Sequence, residues 1–181
     1  MNPIEKLHLD HIASPVGDFL ALTDEVGRLR ALDFEGYEER MHRLLRRQNA
    51  DRTFEMDDRR APRNVVDAID AYFAGDLEAL DRLEVHTGGT EFQRHVWAEL
   101  RRIPAGTTTT YGRLAAAIGK EGASRAVGLA NGSNPVCVVV PCHRVIGSDG
   151  SLTGFGGGLE RKRWLLEHEH RFNLARQRRS A

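Results

Sequence analysis

The sequence has no apolar run approaching the roughly 20 residues that a membrane-spanning helix needs, so no such span is expected. Its opening stretch, MNPIEKLHLDHIAS, lacks the basic-then-apolar layout of a secretory signal, and a cytoplasmic location is expected. Cysteine is scarce. Cys137 and Cys142 are the two present, with no CxxC motif and no clustered Cys/His pattern, which speaks against a zinc site. If residues 136–140 form a strand, positions five apart point to opposite faces, so a disulfide is not expected and both thiols should be reduced. Net charge is also lacking: 26 Lys and Arg balance 26 Asp and Glu, which alone argues against a general polyanion binder.

What is present is unevenly spread. Residues 1–86 hold 12 Lys and Arg against 19 Asp and Glu, and residues 87–181 hold 14 against 7. Four of those arginines sit in the tail RFNLARQRRSA, read as disordered in preference to a phosphate contact. An acidic half followed by a basic half fits a nucleic-acid contact confined to the second half. Forty per cent hydrophobic residues in 181 suffice for a core, in one domain or two small ones.

The stretch HLDHIASPVGDFLALTDEVGRLRALDFEG reads as three short strands joined by turns at Ser14–Asp18 and Thr23–Gly27. Residues 37–48 read as a helix with a charged outer face, and the highly charged residues 51–60 as a loop. Asn64–Ala74 places Val65, Val66, Ile69, Tyr72 and Phe73 at helical spacing, with Gly75 where a C-terminal cap would sit. His8, His11 and His42 stand apart from any cysteine or acid cluster, so this half reads as scaffold.

Beyond residue 87 the character changes. Thr90 and Gln93 form a capping-box signature before the apolar stripe Phe92, Val96, Trp97, Leu100 and Ile103, which Pro104 and Gly106 end. Thr110 caps a predicted helix over Tyr111–Ile118, Gly119–Gly122 makes a turn, and a second short helix covers about Ser124–Asn131. Two short helices joined by a Gly-containing turn outline a helix-turn-helix. The second is rich in small residues, Ala126, Gly128 and Ala130. It either packs closely against another helix or enters a DNA groove, and Arg125 is its one long cation. The expected fold class is α+β: a small N-terminal α/β domain (residues 1–86), then a mostly helical C-terminal domain (residues 87–181) with a helix-turn-helix, winged-helix-like element.

The segment VVVPCHRVIG carries the chemistry. Asn134-Pro135 opens a turn, Val136–Val140 reads as a buried strand, and Pro141 cannot donate to a ladder, which places Cys142 at the strand's exit. A free thiol has a pKa of about 8.5 and needs a base or a cation to become a nucleophile. His143 is adjacent, though neighbours on an extended chain point apart, so a bridging water would be natural. An orienting carboxylate could be Glu169, on the apolar face of the last helix, but spacing alone favours a frayed end there and a structural Cys142.

The segments IPAGTTTTYGRLAAAIG, SRAVGLANGSNP and VVVPCHRVIGSDGSLTGFGGGLERKRWLLEHE together resemble the O6-alkylguanine-DNA alkyltransferases (methylated-DNA–protein-cysteine methyltransferases). The similarity is continuous from about Gly89 to Glu169 and looser over the first 60 residues. The resemblance implies direct-reversal repair. An alkylated guanine is flipped from the duplex, the thiolate of Cys142 takes the alkyl group in one displacement, and each molecule acts once, with O4-alkylthymine a poorer substrate. It also implies that His143 activates the cysteine through a water and that Glu169 holds His143. Tyr111 turns the nucleotide and donates a proton, and Asn134 organises the turn beneath the site. Arg125 enters the base stack, on a helix whose Ala126 and Gly128 approach DNA. Carbonyls of Cys142 and Val145 accept from guanine, and Phe155 and Gly156 lie in the loop over the pocket.

Two positions depart from the pattern: family members often have Tyr at the place of Phe155 and Ser or Ala at that of Gly156. A glycine there implies a wider pocket that tolerates bulkier alkyl groups. The zinc ligands of some members have no counterpart, and no cofactor is expected. The expected partner is double-stranded DNA containing an alkylated base, met by a monomer, with no membrane and no small-molecule cofactor. The rival readings are a lesion-binding module that does not repair, which would lack the cysteine, and an alkylation-sensing regulator, which would need a further domain.

Overall fold

The computed structural model describes residues 2–179. The first half is built on a four-stranded mixed sheet. Strands β1 (Ile4–Ile12), β2 (Phe19–Asp24) and β3 (Leu29–Phe34) form an antiparallel meander, followed by helix α1 (Glu38–Gln48) and strand β4 (Thr53–Asp58). The chain crosses over through α1 so that β4 runs parallel to β1, and the sheet order is β3-β2-β1-β4. Every residue of β2 and β3 is buried, because the sheet is covered on both faces. On one face Leu20, Leu22 and Ala31 meet Met41 and Leu45 of α1. On the other, Phe19, Ala21 and Phe34 join the main core. The alternation along each strand produces this division.

Residues 51–60, expected as a loop, contain β4. Its sequence TFEMDD hides the strand because most of its side chains face solvent; Phe54 packs against the α1 face. Charged side chains suit an edge strand that must not recruit another chain.

Helix α2 (Arg63–Ala74) turns Val65, Ile69 and Tyr72 inward, and Gly75 ends it at φ 110°. That left-handed conformation favours glycine, and a Cβ there would also strike the Phe172 ring. After a 3-10 turn at Ala79–Arg82 comes α3 (Glu91–Leu100). Its capping box is complete: Gln93 N donates to Thr90 Oγ1 at 3.2 Å, and Thr90 N to Gln93 Oε1 at 2.9 Å. The two-residue strand β5 (Thr109–Thr110) leads into α4 (Tyr111–Ala117), and α5 (Ser124–Gly132) follows the Gly119–Gly122 turn. These are the expected pair of short helices.

A 3-10 turn at Cys142–Arg144, strand β6 (Val145–Ile146) and the long α6 (Leu159–Arg179) complete the chain. The basic tail expected to be disordered continues α6 as far as Arg179, and Arg176 pairs with Glu78 at 2.6 Å. One apolar core runs through both halves, joining Phe19, Leu32, Ile69 and Tyr72 to Trp97, Leu114, Val127 and Leu165. No helix among the described residues is long and apolar enough to cross a membrane.

Candidate active site around Cys142

The edge of β3 positions the site. Its backbone groups would otherwise be unpaired, and two later segments dock on them. Leu29 N donates to Glu84 O (3.0 Å) and His86 N to Leu29 O (2.8 Å); further along, Leu32 N donates to Pro135 O (2.9 Å) and Cys137 N to Leu32 O (2.8 Å). The valine run is not the strand expected from its composition. Val136 and Cys137 make isolated bridges, and the chain then reverses tightly, with Val138 at φ 68°. A β-branched residue is rarely found there. Cys142 accordingly opens a 3-10 turn instead of leaving a strand.

Asn134 fastens this reversal from within. Its Oδ1 accepts from Val136 N (2.9 Å), and its Nδ2 donates to Val140 O (2.8 Å) and to Cys142 Sγ (3.1 Å). The reversal also overturns the opposite-face expectation for the cysteines. Both are free, and both lie in this one turn: Cys137 bridges to Val140, whose carbonyl accepts from Cys142 N at 2.8 Å. The Cys137 side chain, outweighing burial and helped by Asn134, Arg40 and Lys162, lowers the Cys142 pKa below its ordinary value. Cys137 is pushed well up by Cys142 and by burial.

Cys142 and His143 follow each other, and both are buried. His143 Nε2 lies 2.9 Å from Glu169 Oε1. Glu169 is not a frayed end: it is fully buried, and both of its oxygens are bonded. Tyr72 OH donates to Oε1 (2.8 Å), Arg144 Nη2 to Oε1 (2.8 Å), Arg144 Nε to Oε2 (3.1 Å) and Gly106 N to Oε2 (2.9 Å). Burial would raise this carboxyl, but His143 and Arg144 hold it well below the usual range. Burial lowers the pKa of His143 against the pull of Glu169, so the ring is neutral. An ionised carboxylate only accepts, which puts the single ring proton on Nε2. Nδ1 then carries a lone pair, and it has no partner among the described residues.

The remaining residues surround this centre. β5 pairs with β6, Thr109 with Val145 and Thr110 with Ile146, which fixes the start of α4 against the PCHRV segment. Tyr111 OH donates to Thr153 O at 3.2 Å, and its ring lies along Gly128, where a Cβ would still fit at 3.7 Å. Val145 O accepts from Lys162 Nζ (2.5 Å), and Cys142 O from Asn131 Nδ2 (3.4 Å). Lys162 also donates to Thr153 O (2.6 Å), and burial brings its pKa down to about 8. Phe155 stands edge-on to His143, ring centroids 6.4 Å apart. Helix α5 buries Val127, Ala130 and Asn131 and exposes Arg125, Ala126 and Leu129. Arg125 has no hydrogen bond or ion pair among the described residues. A groove beside it is lined by Arg40, Arg43 and Arg47 of α1.

Gly156 is set differently from expectation. A Cβ there would overlap the Arg40 guanidinium, which is held by an ion pair to Asp33 and by bonds to Gly132 O and Asn134 O (3.3 Å each). The glycine makes room for an arginine, not for a wider pocket. The first half is therefore more than scaffold. Asp33, Arg40 and Tyr72 all reach the site, while His8 instead pairs with Asp57. Sequence reasoning passed over Tyr72, Arg144 and Lys162. Lys162 had a signal: with Leu165 and Glu169 it falls on one face of α6.

A thiol with a lowered pKa, a neutral histidine held by a buried carboxylate and an adjoining helix-turn-helix define a class, a nucleophilic-cysteine protein built to meet DNA. Two family models match: 6-O-methylguanine DNA methyltransferase, ribonuclease-like domain, over residues 7–87, and its DNA binding domain over residues 91–171. The chain is 50% identical over 160 residues to the methylated-DNA–protein-cysteine methyltransferase of Salmonella typhimurium, covering 88% of this chain and 94% of that one. It is 43% identical over 163 residues to that of Methanosarcina barkeri, covering 90% and 97%. A crystal structure of Mycobacterium tuberculosis OGT in complex with DNA superposes with a TM-score of 0.74 at 41% identity, covering 91% of this chain and 94% of that one. The chain belongs to the 6-O-methylguanine DNA methyltransferase family.

Proposed function

We propose that this protein repairs DNA by moving the alkyl group of O6-alkylguanine, and less readily of O4-alkylthymine, onto Cys142, once per molecule. The observation that carries the reading is the buried His143–Glu169 bond directly after Cys142, whose sulfur is held by Asn134, beside a helix whose exposed Arg125 has no hydrogen bond or ion pair among the described residues. The Cys142 proton passes through a water to the lone pair at His143 Nδ1, and Glu169 stabilises the imidazolium that forms. The thiolate attacks the alkyl carbon; the S–C bond forms as the C–O6 bond breaks, and guanine leaves with its carbonyl restored. Tyr111 supplies a proton to the departing base, exchanging its bond to Thr153 O for one to the ring. A thioether is not opened by water, so the protein is spent.

Arg125 takes the place of the flipped base, and Ala126 and Gly128 let the α5 backbone approach the groove. Val145 O, which accepts from Lys162 Nζ, faces the guanine amino group, whereas Cys142 O already accepts from Asn131 Nδ2 and Val145 N and serves that amino group only by releasing the long Asn131 bond. Phe155 and Gly156 close the pocket from the loop side. The reaction draws on no cofactor.

Intact-mass measurement after incubation with an excess of duplex carrying O6-methylguanine tests the proposal. One methyl per chain, mapped to Cys142 and stopping there, is the expected result. Preferential binding of the modified duplex without methyl transfer would replace repair by lesion recognition.

A further inference from the structure

Cys137 has no part in the alkyl transfer just described, yet it is a completely buried thiol in the same tight turn as the reactive one, bridged to Val140, whose carbonyl accepts from Cys142 N. Its position follows from the chain reversal. Val138 at φ 68° turns the backbone, Cys137 bridges to Val140, and Cys142 N returns to Val140 O at 2.8 Å. Asn134, whose Oδ1 holds Val136 N, touches Cys142 Sγ from the same turn. The surroundings of Cys137 Sγ are those of a thiol that can be deprotonated on demand: Asp33 Oδ1 lies at 3.9 Å as a proton acceptor and Arg40 Nη1 at 3.8 Å as a cation.

We propose that Cys142 and Cys137 are a redox pair, in which a hydroperoxide drives formation of an intramolecular disulfide that shelters the single-use nucleophile until a dithiol reductant restores it. The proposal rests on Cys142 being the nucleophile of the transfer reaction. In the first step the Cys142 thiolate attacks the peroxide; an S–O bond forms, the O–O bond breaks, and the sulfur loses two electrons to the peroxide, giving a sulfenic acid and hydroxide, which is protonated to water. In the second, Cys137 gives its proton towards Asp33 and attacks the Cys142 sulfur. The S–S bond forms, the S–O bond breaks, and hydroxide leaves and takes that proton as a second water. Two thiols and one hydrogen peroxide become one disulfide and two waters.

Charge favours this order. While Cys142 is a thiolate, its neighbour is held protonated, because a second negative sulfur beside it is disfavoured. Conversion of Cys142 to the neutral sulfenic acid removes that repulsion and leaves Arg40 to favour the Cys137 thiolate. Burial raises the Asp33 carboxyl, which makes it a better proton acceptor than an ordinary aspartate. A sulfenic acid without a resolving thiol proceeds under further peroxide to sulfinic acid, which a dithiol cannot reverse.

The test uses the full chain, treated with successive additions of hydrogen peroxide, alkylated with iodoacetamide and digested with trypsin. Residues 126–144 then form one peptide that carries both cysteines. The expected peptide is lighter by two hydrogen atoms and takes no alkyl label, and methyl transfer is lost on oxidation and recovered with dithiothreitol. Cys137→Ser and Cys137→Ala are expected to gain oxygens on Cys142 and to recover far less of their own starting activity. A wild-type peptide bearing two oxygens on Cys142 with Cys137 still alkylatable would overturn the proposal, as would disulfides between chains. The peptide mass needs no DNA. An untreated protein that transfers no methyl would therefore refute the repair reading separately, while the pair is judged on mass.

Discussion

At the scale of single residues, the site works by making one group anionic and keeping its neighbours from competing. Glu169 is the clearest case, with donors from His143, Arg144, Tyr72 and Gly106. Glu169→Gln removes the charge that the Arg144 guanidinium requires and places an amide NH2 among donors. A broken buried ion pair costs about 3–5 kcal/mol, so urea unfolding should report a loss in that range, with methyl transfer strongly slowed. Cys142 invites a second prediction. Its pKa lies below the ordinary value chiefly through Cys137, with Asn134 assisting, so its alkylation by iodoacetamide should rise with pH to a midpoint below that of an unperturbed thiol. Cys137→Ala removes the largest of these influences and should move that midpoint upward. A midpoint unchanged by the substitution would mean that Asn134 and the cations suffice. Sequence pattern exposed Cys142, His143 and Asn134 as a motif. It could not expose Tyr72, which is 97 positions from the carboxylate it bonds, because no periodicity encodes a contact between two distant helices.

Among the elements, those whose local signals agree with their packing were legible. The capping box of α3, the apolar face of α2 with Gly75 beyond it, and the α4–α5 pair all formed as read. The valine run did not, since strand propensity is overridden by the bridges to Leu32 and the Asn134 side chain. The segment at β4 failed for the reverse reason, because exposed charges on an edge strand imitate a loop. The loop before α6 offers a test of how elements fit one another. Gly156→Ala must displace Arg40, whose guanidinium ties α1 to Gly132 O and Asn134 O. Overpacking of this kind costs about 1–3 kcal/mol. In an Arg40→Ala background the obstruction is gone, so the same substitution should cost much less. The double-mutant cycle, read by urea unfolding, should therefore show strong non-additivity, whereas additive costs would mean that Arg40 has other room to move.

For the whole molecule, the halves that charge and composition separate are joined through the active site. The β3 edge pairs with the segment before Cys142, the core is continuous, and Glu169 takes bonds from Tyr72 in the first half and Arg144 in the second. Acid should test this union. The folded pKa of Glu169 lies below its unfolded value, so its contribution to stability is complete above about pH 4.3 and is lost as pH falls further. His143 is also depressed. The unfolded chain takes up that proton first, and stability begins to decline below about pH 6.5. Both effects have the same sign, and both act on bonds that hold the halves together. Acid titration should therefore give one transition with coincident midpoints in far-UV circular dichroism, which reports the sheet, and in fluorescence of Trp97 and Trp164, both in the second half. Tyr72→Phe, a change confined to the first half, should lower stability by about 1.5–3 kcal/mol, the worth of a hydrogen bond to a charged group, and shift both signals to the same new midpoint. Fluorescence that held its midpoint while circular dichroism moved would show that the second half stands without Tyr72, and that the site is assembled by the helical half alone.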